Sequence, residues 1–188
     1  MKDLFRGKLV RLTTEEPETL AKFRVRWQRD SEYDRLLDSD PVSMASEKKI
    51  KEWLEKFLDD DKPGRYPFSF RTLSDDRLIG FIGLWTDLVH ADGWVGVGIG
   101  EREFWGKGYG TDAMRLVLQY AFTEINLQRV SLALHSYNER GLKSYEKAGF
   151  RLEGRSRSDQ HREGRRTDTL WMGVLREEWL LIQQGEAR

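Results

Sequence analysis

The chain has no cysteine among its 188 residues. This excludes disulfides, thiolate metal centres and a cysteine nucleophile, and it suits a reducing compartment. Histidine is scarce as well: three scattered residues make a metal site a poor expectation. No run of about 18 apolar residues exists, and the opening Met1-Lys-Asp-Leu-Phe-Arg-Gly-Lys8 has no apolar signal core. A cytoplasmic protein is expected. An excess of one charge is also missing, since 32 Lys and Arg balance 32 Asp and Glu. That balance gives no electrostatic reason to expect a nucleic acid or a membrane as partner.

What is present describes a folded protein with solvated helix faces. Charged residues make up 34% and aromatics 12%, with seven tryptophans, which argues against disorder. The length fits one domain over 1–188, with a core over about 8–179, and leaves room for a sizeable apolar interior.

Lys8–Leu12 reads as a strand, and Glu16–Trp27 as a helix with Pro17 in its first turn, where a missing N–H costs little. Ser31–Pro41 is polar and ambiguous. Ser46 caps a second predicted helix whose Ile50, Trp53, Leu54, Phe57 and Leu58 fall at helical spacing, and Asp59–Gly64 stops it. Phe68–Leu73 and Leu78–Leu84 predict a hairpin, followed by a loop over Trp85–Gly93 and a strand over Trp94–Glu101. Thr111 is expected to cap an amphipathic helix carrying Ala113, Val117, Tyr120 and Ala121 on one face. Arg129–Leu134 is a further strand. Asn138 opens a short helix that Gly149 ends. Arg151–Ser158 and Thr167–Leu175 form a last hairpin, and Arg176–Gln184 a terminal helix. The class is α+β. The runs Asp59–Asp61 and Arg162–Arg166 read as solvated faces.

The run Phe104-Trp-Gly-Lys-Gly-Tyr-Gly-Thr-Asp-Ala113 carries the most information. Glycines at 106, 108 and 110 strip side chains from a turn that feeds a helix, presenting backbone N–H groups and the positive end of the helix dipole to one point. Such a turn can cradle a phosphate, or it can merely be tight. Gly108-x-Gly110-x-x-Ala113 meets a loose dinucleotide fingerprint, but the first glycine is not at the strand end. The strand from Arg129 also ends at His135 instead of an acid. A P-loop is excluded, because no Gly-x-x-x-x-Gly-Lys-Ser/Thr occurs.

The strand followed by Trp105-Gly-Lys-Gly-Tyr-Gly-Thr111 resembles the acetyl-CoA motif of the GNAT acetyltransferase superfamily. Asn138-Glu-Arg-Gly-Leu-Lys-Ser-Tyr-Glu-Lys-Ala-Gly-Phe150 resembles its second motif. Gly7–Leu12, Phe150–Gly154, Asp168 and Leu175–Trp179 are similar to the ribosomal-protein N-terminal (Rim-type) branch, and Trp105 stands where many members have Gln or Arg. The resemblance implies a GNAT-like fold: a mixed sheet of about six to seven strands with a splayed parallel pair, Trp94–Glu101 and Arg129–His135, and helices on both faces. It implies acetyl-CoA as co-substrate, held by backbone at Gly98 and Ile99. The pyrophosphate would lie over Trp105, Gly106, Lys107, Gly108, Tyr109, Gly110 and Thr111, with Asn138 on the cofactor arm. No metal is implied, and a homodimer is compatible with it.

The implied reaction is direct attack by a primary amine on the thioester in a ternary complex. Tyr145 matches the family's general acid. A phenol near pKa ~10 is a weaker acid than a thiol near ~8.5, so complete proton transfer to the thiolate is uphill by about 2 kcal/mol. Roughly a tenth of an α-amine is neutral at pH 7, against a few parts in ten thousand of a lysine, so an α-amine needs only weak base assistance. Glu101 is the first candidate base. Asp87, His90 and Asp92 in the expected loop are candidates for shaping the acceptor pocket, together with His135. A protein N-terminus is the expected acceptor. Polyamines and aminoglycosides are the small-molecule alternatives, and a non-catalytic acyl-CoA-binding module is the alternative of another class.

Overall fold

A computed structural model describes residues 3–59 and 62–186. Met1, Lys2, Asp60 and Asp61 lie outside them, so the leader reading and most of the acidic run are not addressed by it. In chain order the elements are β1 (Val10–Thr13), α1 (Pro17–Trp27), α2 (Ser31–Leu37), α3 (Glu47–Leu58), β2 (Arg65–Thr72), β3 (Leu78–Asp87) and β4 (Asp92–Ile99). A single 3₁₀ turn (Arg102–Phe104) follows, then α4 (Tyr109–Thr123), β5 (Arg129–His135), α5 (Glu139–Ala148), β6 (Arg151–Arg162), β7 (Arg165–Leu175) and α6 (Arg176–Glu186). The strands form one seven-stranded sheet in the order β1-β2-β3-β4-β5-β7-β6. Among the described residues only β4 and β5 run parallel. This is the mixed sheet with a parallel pair that the resemblance implied. No described helix is long and apolar enough to cross a membrane.

Two apolar cores flank the sheet. In one, α4 buries Ala113, Met114, Val117, Leu118, Ala121 and Phe122 against Val10, Phe70, Ile82, Leu84 and Val130. In the other, α1, α2 and α3 pack Leu20, Trp27, Tyr33, Ile50 and Leu54 over Leu78 and Phe81. Strand alternation divides the work: Ile82 and Leu84 point to the first core and Phe81 to the second.

Local signals explain most boundaries. The Ser46 hydroxyl accepts the Lys49 N–H at 3.3 Å and starts α3. Asn138 Oδ1 accepts the Gly141 N–H at 2.9 Å, and Gly149 ends α5 at φ 109°. The ambiguous polar stretch contains α2, because Asp30 Oδ1 accepts the Glu32 N–H and the buried Tyr33 anchors the turn.

The expected loop over Trp85–Gly93 is instead a hairpin. Trp85 pairs with Trp94 and Asp87 with Asp92, leaving only Leu88–Ala91 as a turn. Asp87 Oδ1 accepts the N–H groups of Val89 and His90, and Ala91 takes a left-handed φ of 51°. Side-chain capping of the turn lets the ladder run to its tip.

Asp112, in the first turn of α4, has a role the motif reading did not anticipate. Its carboxylate accepts the N–H groups of Lys8, Leu9 and Val10 at 3.2, 2.7 and 3.0 Å. This clamps β1 to the glycine turn. Asp112→Ala leaves those donors without acceptors. It is expected to destabilise the fold by about 2 kcal/mol, lowering Tm by roughly 4–8 °C in a thermal melt. An unchanged melt would show that water replaces the carboxylate at no cost.

Candidate active site

The site begins where β4 and β5 part. Their parallel ladder holds only from Asp92↔Arg129 to Trp94↔Ser131. Beyond it β4 stays paired with β3 as far as Ile99, and β5 with β7 as far as His135. Each strand is therefore held on its outer side while the two facing edges separate. Backbone groups on those edges have no ladder partner across the gap, so they are free for another extended chain. A cleft of about 1960 Å³ opens there, walled by Val95–Ile99 on one side and Ala133–His135 on the other.

The glycine turn forms one end of that cleft. Gly108 is the N-cap of α4 at φ 92°, and no side chain caps the helix. Gly106 also has a left-handed φ, 72°, and a Cβ there would meet nothing within 4 Å. The first helical turn leaves its N–H groups without intrahelical partners, pointing at the open space that the missing side chains create. Thr111, expected as the cap, lies inside the helix. Its hydroxyl shares a 2.8 Å hydrogen bond with Ser144 Oγ, tying α4 to α5.

Trp105, Gly106, Gly108, Gly110 and Thr111 line the cleft, as do Gly98, Ile99 and Asn138. Lys107 is exposed and is not on the wall, and Tyr109 packs edge-on against Phe104 at 5.0 Å. Trp105 Nε1 donates to the Ile99 carbonyl at 2.6 Å, so that acceptor is already engaged. The Trp105 indole in turn carries the Arg140 guanidinium, 3.9 Å above its ring centre. Arg140 and Lys143, both from α5, supply positive charge to the wall. Neither stood out in the sequence, because charged residues on a short helix look solvated. Asn138 lines the cleft, and its Oδ1 is occupied as the α5 cap.

Tyr145, on α5, lines the cleft and packs edge-on to Phe150. Burial pushes its phenol up to about 12, so the proton stays on oxygen throughout the physiological range. Tyr145 can therefore donate a hydrogen bond and cannot act as a nucleophile near neutrality.

Glu101 is placed differently from the expectation. One oxygen accepts from Arg26 and from Trp27 Nε1, and the other from Arg77 at 2.9 Å. The carboxylate is 12% exposed and is not on the cleft wall. Two guanidinium groups and an indole use both oxygens, so the carboxylate expected to serve as a base instead joins α1 to the end of β4 in this structure. Glu101→Gln is expected to cost about 2 kcal/mol of stability, because charged donors lose their partner. It should leave turnover per folded molecule within about twofold, since general-base loss would instead cost ~10²-fold or more. Urea unfolding and steady-state kinetics on the same variant separate the two.

Asp87, His90 and Asp92 form the far tip of the β3–β4 hairpin. Asp87 and His90 cap that turn, and none of the three lines the cleft. Seven strand steps at ~3.3 Å put that tip roughly 20 Å from Ile99, at the end where β4 and β5 are still joined. The structure therefore does not bring them together with the cleft in which an acceptor pocket was expected. His135 does line the cleft. Its Nε2 lies 3.1 Å from the Asp38 carbonyl, its ring stacks on Tyr137, and Nδ1 is buried without a partner. Burial lowers its pKa, so the ring is neutral at pH 7.

The remaining wall comes from the second core and the β6–β7 hairpin. Tyr33, Trp53, Phe57, Phe81, Trp85 and Trp171 make it strongly aromatic. Arg24 of α1 reaches into it, stacked 4.1 Å from the Phe81 ring centre. Among the described residues no group of three metal-ligating side chains is clustered.

A family model described as an acetyltransferase (GNAT) domain matches residues 8–151. The "Probable N-acetyltransferase YjcK" of Bacillus subtilis strain 168 is 36% identical over 114 residues, covering 60% of this chain and 61% of that protein. YdaF of the same strain, which bears a provisional ribosomal N-acetyltransferase name, is 35% identical over 108 residues, covering 57% and 58%. The match thus spans less than two thirds of either relative. The solved spermidine N-acetyltransferase from Vibrio cholerae, in complex with CoA and spermine, superposes with a TM-score of 0.77 at 22% identity, covering 91% of this chain and 96% of that one. That likeness speaks for the fold alone. The bare glycine turn, the parted strands and a family match over most of the sequence agree, and the chain belongs to the GNAT acetyltransferase family.

Proposed function

We propose that this protein transfers acetyl from acetyl-CoA to the α-amine of a peptide or protein by direct attack in a ternary complex. The observation that carries the reading is the uncapped α4 N-terminus opening into the gap between β4 and β5, with Tyr145 on the same wall. The residues fit the coenzyme: left-handed, side-chain-free Gly106 and Gly108 leave room beside unpaired N–H groups that suit a diphosphate. The separated strand edges suit the two amides of an extended arm. When bound, acetyl-CoA supplies an activated acyl group and a thiolate leaving group.

The chain's own part is mostly placement. Backbone donors from Gly106 to Thr111 orient the diphosphate, and Arg140 and Lys143 add charge beside it. Tyr145 holds a proton on the cleft wall and gives a hydrogen bond to the sulfur as it leaves. With both Glu101 oxygens committed to arginines and an indole, the first candidate base is already engaged. An α-amine, partly neutral at pH 7, suits a site with little base assistance better than a lysine or a polyamine does. YdaF's ribosomal name points the same way.

Thiol release from acetyl-CoA, measured with panels of N-terminal peptides, polyamines and aminoglycosides, tests this reading. Turnover on peptides is the expected result. Turnover confined to polyamines would replace the α-amine acceptor, and stabilisation by acetyl-CoA without turnover on any amine would indicate a binding module.

A further inference from the structure

Arg24 is the one feature of the acceptor side that the proposed reaction leaves unexplained. It projects from α1 into the cleft and also lines a small recess with Gln28, Tyr33, Asp34 and Leu37. Its guanidinium is stacked on Phe81 at 4.1 Å and lies 5.3 Å from the Trp53 ring. Among the described residues it has no carboxylate partner within ion-pair distance, and its Nε is buried without any hydrogen-bond acceptor. Gln28, one turn further along α1, leaves its own Oε1 unpaired instead of closing onto it. Neighbouring arginines are answered: Arg26 and Arg77 by Glu101, and Arg71 by Glu15.

An arginine between aromatic rings is stabilised over its faces, yet its donors lie in the guanidinium plane, where stacking supplies no acceptor. Burial without a counter-charge is costly, and desolvation pulls the Arg24 pKa down. An unpaired planar fork on a cleft wall matches a carboxylate, which it can hold bidentately. The position also fits the chemistry. The ring beneath Arg24 belongs to Phe81, which packs against Gly98 of β4: a Cβ on that glycine would lie 2.9 Å from Phe81 Cε1 and 3.1 Å from Leu37 Cδ1. The guanidinium therefore stands over the ring that covers Gly98, on the strand that borders the gap.

We propose that Arg24 anchors a carboxylate carried by the acceptor, close to its reacting amine. The acceptor class is an α-amine with a nearby acid, either a free amino acid with an apolar side chain or a peptide whose first residue is acidic. The aromatic wall of Trp53, Phe57, Phe81 and Trp85 receives its apolar part. A polyamine would set like charge against Arg24. At about 5 Å and an effective dielectric of ~20 that disfavours it by roughly a hundredfold.

This inference rests on the acetyltransfer reading, and its test separates the two. The first measurement is calorimetric binding of acetyl-CoA to the wild-type protein, and its absence would remove the reaction itself. The second compares matched acceptors in the wild-type enzyme: phenylalanine against phenylalaninamide, and peptides beginning with Glu against the same peptides beginning with Gln. In at least one pair the carboxylate member should have the higher kcat/KM by ten- to a hundredfold, and whichever pair shows it identifies the source. Arg24→Gln should erase that preference chiefly through KM, while Arg24→Lys should keep part of it. The third measurement needs no turnover. N-acetylphenylalanine against its amide, and the N-acetylated Glu peptide against its Gln counterpart, are compared on the CoA-loaded wild type, and in at least one of these pairs the acid should bind at least tenfold more tightly. Equal use of both members in both pairs, a preference that survives Arg24→Gln, or equal binding within both acetylated pairs would each overturn the assignment while leaving acetyl-CoA binding intact.

Discussion

Replacing Tyr145 by phenylalanine is expected to lower kcat about a hundredfold, with acetyl-CoA affinity unchanged within a factor of two. The ring packs beside Phe150 in either residue, so the substitution removes one hydroxyl and little else. Without that donor the departing sulfur loses its hydrogen bond in a cleft where water is a poor substitute. Full proton transfer is not needed. The burial that raises the phenol to about 12 makes complete release costly, which favours a hydrogen bond that strengthens as charge grows on sulfur.

The pH profile distinguishes this role from that of a base. A phenol with a raised pKa carries its proton at every pH below about 12, so Tyr145 contributes no descending limb in the ordinary alkaline range. Turnover should rise with pH as the acceptor α-amine loses its proton, near ~8, and then level off to about pH 10. A bell-shaped profile falling between pH 8 and 10 would mean that another acid donates the proton. Unchanged kcat in Tyr145→Phe would remove the tyrosine from the reaction.

Gly108→Val is expected to raise the acetyl-CoA dissociation constant by ten- to a hundredfold in calorimetry, and to destabilise the fold by about 1–2 kcal/mol. At φ 92° a β-branched residue is strained, and relief of that strain rotates the N–H groups that begin α4 away from the cleft. Lys107→Ala is the matched control. Lys107 is exposed and off the wall, so its loss should change affinity by less than about twofold. If the lysine variant were the weaker binder, charge and not the backbone would hold the diphosphate.

The parts of this protein that could be read from its sequence are those fixed by near neighbours along the chain. Ser46 and Asn138 cap the helices they were expected to cap, because an N-cap needs only the N–H three residues ahead. The apolar face of α4 and the final hairpin were likewise legible in their periodicity. Even so, periodicity stopped short at Trp85, since the β3–β4 ladder continues through cross-strand pairs that no local window contains.

The candidate site divides along the same line. Sequence alone determined the glycine turn, its helix and the placement of Tyr145 on α5, because each follows from residue type and short spacing. Which polar groups remain free was decided by the tertiary structure. Glu101 looked available until Arg26, Trp27 and Arg77, remote in sequence, took both its oxygens. Arg24 carries no signal of its own in the sequence; folding places it against Phe81 and Trp53 with no ion-pair partner among the described residues. The physical reason is general: a charge acquires its meaning from desolvation and from partners brought together by folding, and neither is written at the position of the residue itself.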